Sequence, residues 1–166
     1  MLHAIAVAVP PDGALHDAGV AVSDAASVTP ADAAYEEYEE LFIGVGKAPV
    51  SLYGSVYLAG FMMEKPLAEL RDSLADLGFS RSGNVREPED HVAALCDVMR
   101  AMIMGDVNHP PAPIAAQHKF FDTHIYPWIG NCMGAISAYH GSNFYKRVAA
   151  LASVFFGVEK DAFAMS

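Results

Sequence analysis

From Thr29 onward the apolar positions recur every three or four residues, and Pro or Gly closes each run. Tyr35, Tyr38, Leu41 and Phe42 share one face of a segment that opens with Thr29-Pro30-Ala31-Asp32, while Glu36, Glu37, Glu39 and Glu40 cover the rest. Thr29 suits an N-cap, Pro30 the first helical position and Asp32 the first turn; Gly44 and Gly46 end the run and Pro49 closes the loop. A helix over about 51–63 carries Leu52, Tyr53, Val56, Tyr57, Phe61 and Met62. The next starts at Pro66, carries Leu67, Leu70, Leu74 and Leu77, and stops at Gly78. Val92, Leu95, Cys96, Met99, Met102 and Ile103 then form a stripe on a central helix predicted to begin at Pro88. After the Pro-rich loop 105–113, a helix over about 113–125 carries Phe120, Phe121 and Ile125. Pro127 breaks it, Trp128, Ile129, Met133 and Ile136 open another, and the last, about 143–156, carries Phe144, Val148, Leu151, Phe155 and Phe156.

The pattern predicts an all-α fold, a single helical domain of about six or seven helices over residues 35–166. Residues 1–34 read as a poorly defined arm or divergent helices. Within them the apolar run 4–10 is too short to span a bilayer and lacks a basic flank, and 14–27 is a weak helix or a mobile arm. Gly83 and Asn84 make the 79–87 connection exposed and hinge-like, so the expected states are a monomer or a homodimer that exchanges halves.

Composition narrows the partners. Apolar residues are 53% of the 166, enough for a full core, and the charge is acidic, with 20 Asp+Glu against 10 Lys+Arg. No Lys or Arg precedes Lys47, which disfavours nucleic acid and favours a basic partner for the front half. Glu36, Glu37, Glu39 and Glu40 spread around their helix and read as a solvated face. Cys96 and Cys132 sit in apolar patterns and read as buried free thiols of a reducing compartment.

The chemistry concentrates in Arg86-Glu87-Pro88-Glu89-Asp90-His91. Two carboxylates and an imidazole stand in the first turn of the predicted central helix, near its unpaired N–H groups. Neighbours on one helical turn point about 100° apart, so Asp90 and His91 do not share a metal ion. His118 and Asp122 stand at i,i+4, but no HExxH set, nucleophile motif or phosphate loop is present, and neither turnover nor a stoichiometric metal or other cofactor is expected. The rival readings are a metal-binding or hydrolytic helical enzyme using His, Asp and Glu, and a generic protein-interaction domain.

Three motifs in order resemble the TorD/DmsD family of cytoplasmic molybdoenzyme chaperones. They are Tyr38-x-x-Leu41-Phe42-x-Gly44 followed by Pro49 and Ser51…Ser55-Val56-Tyr57, then Glu87-Pro88-x-Asp90-His91, then Gln117-x-x-Phe120-x-x-x-His124-x-x-Pro127-Trp128 ahead of Phe144-Tyr145. The resemblance covers about residues 35–157. It implies a TorD-like helical chaperone, not an enzyme. Such a chaperone binds the twin-arginine signal peptide and the apo form of a molybdoenzyme catalytic subunit in the cytoplasm, without membrane insertion, until the molybdopterin cofactor is in place. Tyr38, Leu41 and Phe42 would then belong to the peptide-binding region, and Glu87, Pro88, Asp90 and His91 would line it and receive the arginines. Trp128 and His124 would be scaffold.

Overall fold

The computed structural model describes residues 12–81, 87–105 and 110–166. Among these, eight α-helices follow one another with no strand: α1 Ala14–Val28, α2 Ala31–Tyr38, α3 Gly54–Ala59, α4 Lys65–Asp76, α5 Val92–Met104, α6 Ile114–His124, α7 Tyr126–Ala138 and α8 Phe144–Ala164. The all-α class is as the periodicity predicted. The helix count reaches eight because α1 is a regular helix of 15 residues with Val22 buried. The apolar run 4–10, the centre of the hinge-like connection (82–86, with Gly83, Asn84 and Arg86) and His109 lie outside the described residues. No described helix is long and apolar enough to cross a membrane.

The chain divides into two compact units, residues 1–51 with 130–161 and residues 52–129 with 162–166. In the first, Val22, Leu41, Val50, Met133, Ile136, Phe144 and Phe156 are buried. Val50 donates its N–H to the Leu41 carbonyl at 3.1 Å, and the Cys132 thiol reaches the Ser51 carbonyl at 3.5 Å. In the second, the α4 stripe Leu67, Leu70, Leu74 and the α5 stripe Leu95, Met99, Met102 are buried, together with Phe120, Phe121, Ile125, Trp128 and Phe163. The α5 stripe is narrower than its sequence pattern suggested. Cys96 lies one position off it and is exposed, so of the two expected buried thiols only Cys132 is buried.

Besides the last helix, which runs on past 156 and through Gly157 to Ala164, three helix boundaries differ from the sequence reading where a neighbouring segment claims the backbone. Thr29 closes α1 by donating its N–H to the Ala25 carbonyl, which leaves Pro30, in extended backbone, as the N-cap of α2. α3 spans 6 residues: Tyr53 is held extended by pairing with His91, and Gly60, in the left-handed region at φ 84°, stops the helix at Ala59. α5 starts at Val92, so Pro88 stands in a turn before the helix, not at its first position. The α4 terminus is as read. Gly78 donates to the Ala75 carbonyl and Phe79 to that of Leu74, the paired bonds of a Schellman stop.

α2 runs into one π-helical turn, Glu39–Ile43, closed by the Gly44 N–H on the Glu39 carbonyl at 2.8 Å. The extra residue lets Leu41 turn wholly inward, at 0% exposure. Gly44 ends the turn at φ 62°, where a Cβ would stand 2.6 Å from the Lys47 carbonyl oxygen. Replacing Gly44 with Ala is therefore expected to cost about 1–3 kcal/mol, read as a lowered melting midpoint. Gly134→Ala, inside α7 with open space around it, is expected to be neutral or stabilising by up to about 1 kcal/mol.

Candidate functional site

The Glu87–His91 segment is shaped by backbone pairing before any side chain acts. The His91 N–H turns back to the Pro88 carbonyl at 3.2 Å. Gly54 N–H then bonds the Asp90 carbonyl and Val92 N–H the Leu52 carbonyl, both at 3.0 Å, so that Tyr53 and His91 form an isolated antiparallel bridge. Their rings meet edge to face, centroids 5.1 Å apart.

That pairing directs each polar side chain. Asp90 is 4% exposed, and its Oδ2 accepts the Ser55 backbone N–H at 2.8 Å, which satisfies a first-turn donor of α3. Asp90 Oδ1 and the Ser55 hydroxyl are buried without a partner among the described residues. Glu87 is exposed and accepts the Tyr53 hydroxyl. Glu89 accepts Arg71 Nε at 3.1 Å and Nη2 at 2.9 Å. Burial works against the Glu89 charge, but the Arg71 hydrogen bonds and guanidinium outweigh it and hold the carboxyl below its ordinary range. Pro88 is buried. His91 is the N-cap of α5, its Nδ1 accepting the Ala93 N–H at 3.2 Å, which requires that nitrogen to be unprotonated.

A wall of aromatic groups backs the segment. Trp128 packs on Gly54 so closely that a Cβ there would lie 2.8 Å from the indole Nε1. The same Nε1 donates to the His124 carbonyl at 2.7 Å, and Tyr57 stacks on the indole at 5.7 Å. His124 Nε2 lies 2.9 Å from the Ser73 hydroxyl, and His118 pairs with Asp122 at 3.1 Å while stacking on Phe163. Trp128 and His124 are thus both buried within this wall. Among the described residues no group of three or more His, Cys, Asp or Glu is placed to hold a metal ion.

In the first unit, the acidic face of α2 is not uniformly solvated. Glu37 is 9% exposed, and its two oxygens accept the backbone N–H groups of Asn143, Phe144 and Tyr145 at 2.9, 3.0 and 2.8 Å, closing the N-terminus of α8. Glu40 accepts the Tyr139 hydroxyl at 2.8 Å. No local signal marks these roles, since each carboxylate serves a donor about a hundred positions away, backbone N–H groups for Glu37 and a tyrosine hydroxyl for Glu40. Beside Glu37, Tyr38, Phe42 and Tyr145 form a three-ring cluster with centroids 5.2–6.0 Å apart. Tyr38 is partly open to solvent and Phe42 half-buried, while Leu41 is core. Of the expected site residues, Tyr38, Leu41 and Phe42 belong to the first unit and Glu87, Pro88, Asp90 and His91 to the second. The sequence missed Glu37, Tyr53, Arg71 and Tyr145.

Fold and sites together define an all-helical protein whose buried carboxylates Glu37 and Asp90 close helix starts and which leaves Glu87 and Tyr38 open to solvent. A family model described as the nitrate reductase delta subunit matches residues 12–134, and the chain belongs to that family, the TorD/DmsD family. It is 26% identical over 126 residues to the chaperone protein TorD of Vibrio parahaemolyticus, covering 72% of this chain and 59% of the relative. It is 30% identical over 118 residues to the probable Tat proofreading chaperone DmsD of Haemophilus influenzae, covering 70% and 55%. With the chaperone protein TorD of Vibrio cholerae it shares 25% over 130 residues, covering 75% and 59%. The chain thus spans under three-fifths of the length of these relatives.

Burial pushes the His91 imidazole below its ordinary value, against the opposing charges of Glu87 and Asp90, and burial does the same to His124 against Glu69. Both groups bind protons more readily unfolded than folded. Their contribution to stability is therefore complete above the unfolded pKa of about 6.5 and is lost as pH falls through that value to the lower folded ones. Melting midpoints are expected to drop from pH 7 toward pH 5. His91→Asn, which caps a helix without titrating, is expected to remove part of that drop and leave the His124 part.

Proposed function

We propose that this chain is a cytoplasmic chaperone that binds the twin-arginine signal peptide and the apo form of a molybdoenzyme catalytic subunit, supporting molybdopterin insertion before export. The observation that carries this reading is the Glu87–Asp90 segment, a run of acids held in fixed geometry on a chain whose relatives are named as chaperones. It acts by binding, without turnover. A twin-arginine leader is an extended segment with two guanidinium groups followed by an apolar stretch. Its receptor needs open carboxylates that accept forked N–H pairs, and apolar surface.

Glu87, exposed and steadied by the Tyr53 hydroxyl, is assigned the first arginine, and Glu89 a supporting part. Asp90, Pro88 and His91 belong to the same region as its frame: Asp90 ties the segment to α3, Pro88 fixes the turn and His91 caps α5. Tyr38 and Phe42 are assigned apolar contacts with the client, and Leu41 anchors them in the core of the first unit. A hydrogen bond to a charged group contributes about 1.5–3 kcal/mol and an exposed ion pair about 0–1. The carboxylates therefore set recognition, and apolar burial supplies most of the affinity. Ordering the peptide costs a few kcal/mol, so binding in the micromolar range is expected.

Titration calorimetry with a peptide carrying the leader tests this reading. Changing its two arginines to lysines is expected to weaken binding by about tenfold, because an ammonium cannot make the planar fork. Phe42→Ala is expected to weaken binding with its salt dependence unchanged. Equal affinity for the arginine and lysine peptides would reject the arginine-receptor role.

A further inference from the structure

Glu89 is the acid of the segment that already holds a guanidinium. Its side chain is 15% exposed, against 48% for Arg71, so a mostly covered carboxylate is met by an arginine arriving from the solvent side. Both Arg71 donors, Nε at 3.1 Å and Nη2 at 2.9 Å, converge on the single oxygen Oε2. That contact is one-sided. A guanidinium that reached both carboxylate oxygens in the parallel two-bond fork would bind better. Arg71 sits on α4, in the chain stretch ahead of the segment, and nothing of α4's buried stripe (Leu67, Leu70, Leu74) depends on its head group.

We propose that Arg71 is a specificity-determining residue, an internal stand-in for the client's arginine that occupies Glu89 in the free protein and yields it only to another guanidinium. The proposal rests on the twin-arginine reading above. Exchange of one guanidinium for another leaves the number of charge-assisted bonds nearly unchanged, so Glu89 adds little net affinity while Arg71 is present. An ammonium entering in its place would exchange two N–H donors in a plane for a point charge. A ligand without a cation has nothing to offer Glu89 in exchange for the Arg71 guanidinium and leaves that pair in place. Arg71 thereby turns Glu89 from a general cation trap into a filter for arginine.

The test is a titration of one leader peptide, in its arginine form and its lysine form, into wild type, Arg71→Gln, Arg71→Lys, Glu89→Gln and the Arg71→Gln/Glu89→Gln double variant, with melts confirming that each is folded. Arg71→Gln is expected to bind the arginine peptide about threefold tighter or more, and to discriminate less against lysine. Arg71→Lys is expected to give a smaller gain. Glu89→Gln is expected to abolish the gain when combined with Arg71→Gln. Unchanged or weaker binding by Arg71→Gln, or a gain that survives Glu89→Gln, overturns the proposal while leaving the chaperone reading intact if wild type binds. Binding by Arg71→Gln alone supports it in its strongest form. Failure of every protein to bind the peptide overturns both.

Discussion

The geometry of the second unit's site depends on one hydrogen bond, from the Ser55 backbone N–H to the buried Asp90 carboxylate. A carboxylate with 4% exposure is costly unless its charge is answered. Here the first turn of α3 answers it, through an N–H that has no partner within its own helix. The bond fixes more than two residues. With Asp90 in place, the backbone pairing of Leu52–Gly54 with Asp90–Val92 aligns Tyr53 with His91 and ends both segments as helix starts. Trp128 closes the other side of Gly54, leaving no room for a side chain there.

The same device operates in the first unit, where Glu37 answers three N–H groups at the start of α8. In both places a sequence-distant carboxylate does the work usually given to a local Ser, Thr, Asn or Asp. The consequence is a division of labour among neighbouring acids. Glu37 and Asp90 are consumed by backbone and hold shape, whereas Glu87 stays exposed with its position set by a tyrosine hydroxyl. Adjacent residues of similar chemistry thus carry different duties, and burial decides which.

Much of this was readable from the chain. The apolar stripes of α4, α5 and α6 and the Gly78 stop followed from spacing and from turn chemistry that acts within a few residues. The family followed from three short motifs in order, each placing Gly, Pro or an aromatic residue where the fold needs it. What escaped were effects between residues far apart in sequence. Thr29 looked like the N-cap of α2 because its competing role at the end of α1 is invisible in the pattern. Pro88 looked like a helix start because nothing local shows that Tyr53 pairs with His91. Glu37 was indistinguishable from Glu36 until α8 supplied three donors. The π turn at Glu39–Ile43 left no mark except the Gly44 that closes it.

On the proposed reading, a receptor for arginine must expose some carboxylate while keeping its framework intact, and those tasks fall to different members of one five-residue segment. The salt dependence of leader-peptide binding distinguishes them most directly. If Glu87 receives the arginine and Asp90 frames the site, Glu87→Gln lowers the slope of log affinity against log salt, because the screened contact is gone. Asp90→Asn, compared under conditions where it remains folded, keeps the wild-type slope even if its affinity falls. The reverse pattern, with the slope lost in Asp90→Asn and retained in Glu87→Gln, would contradict this assignment.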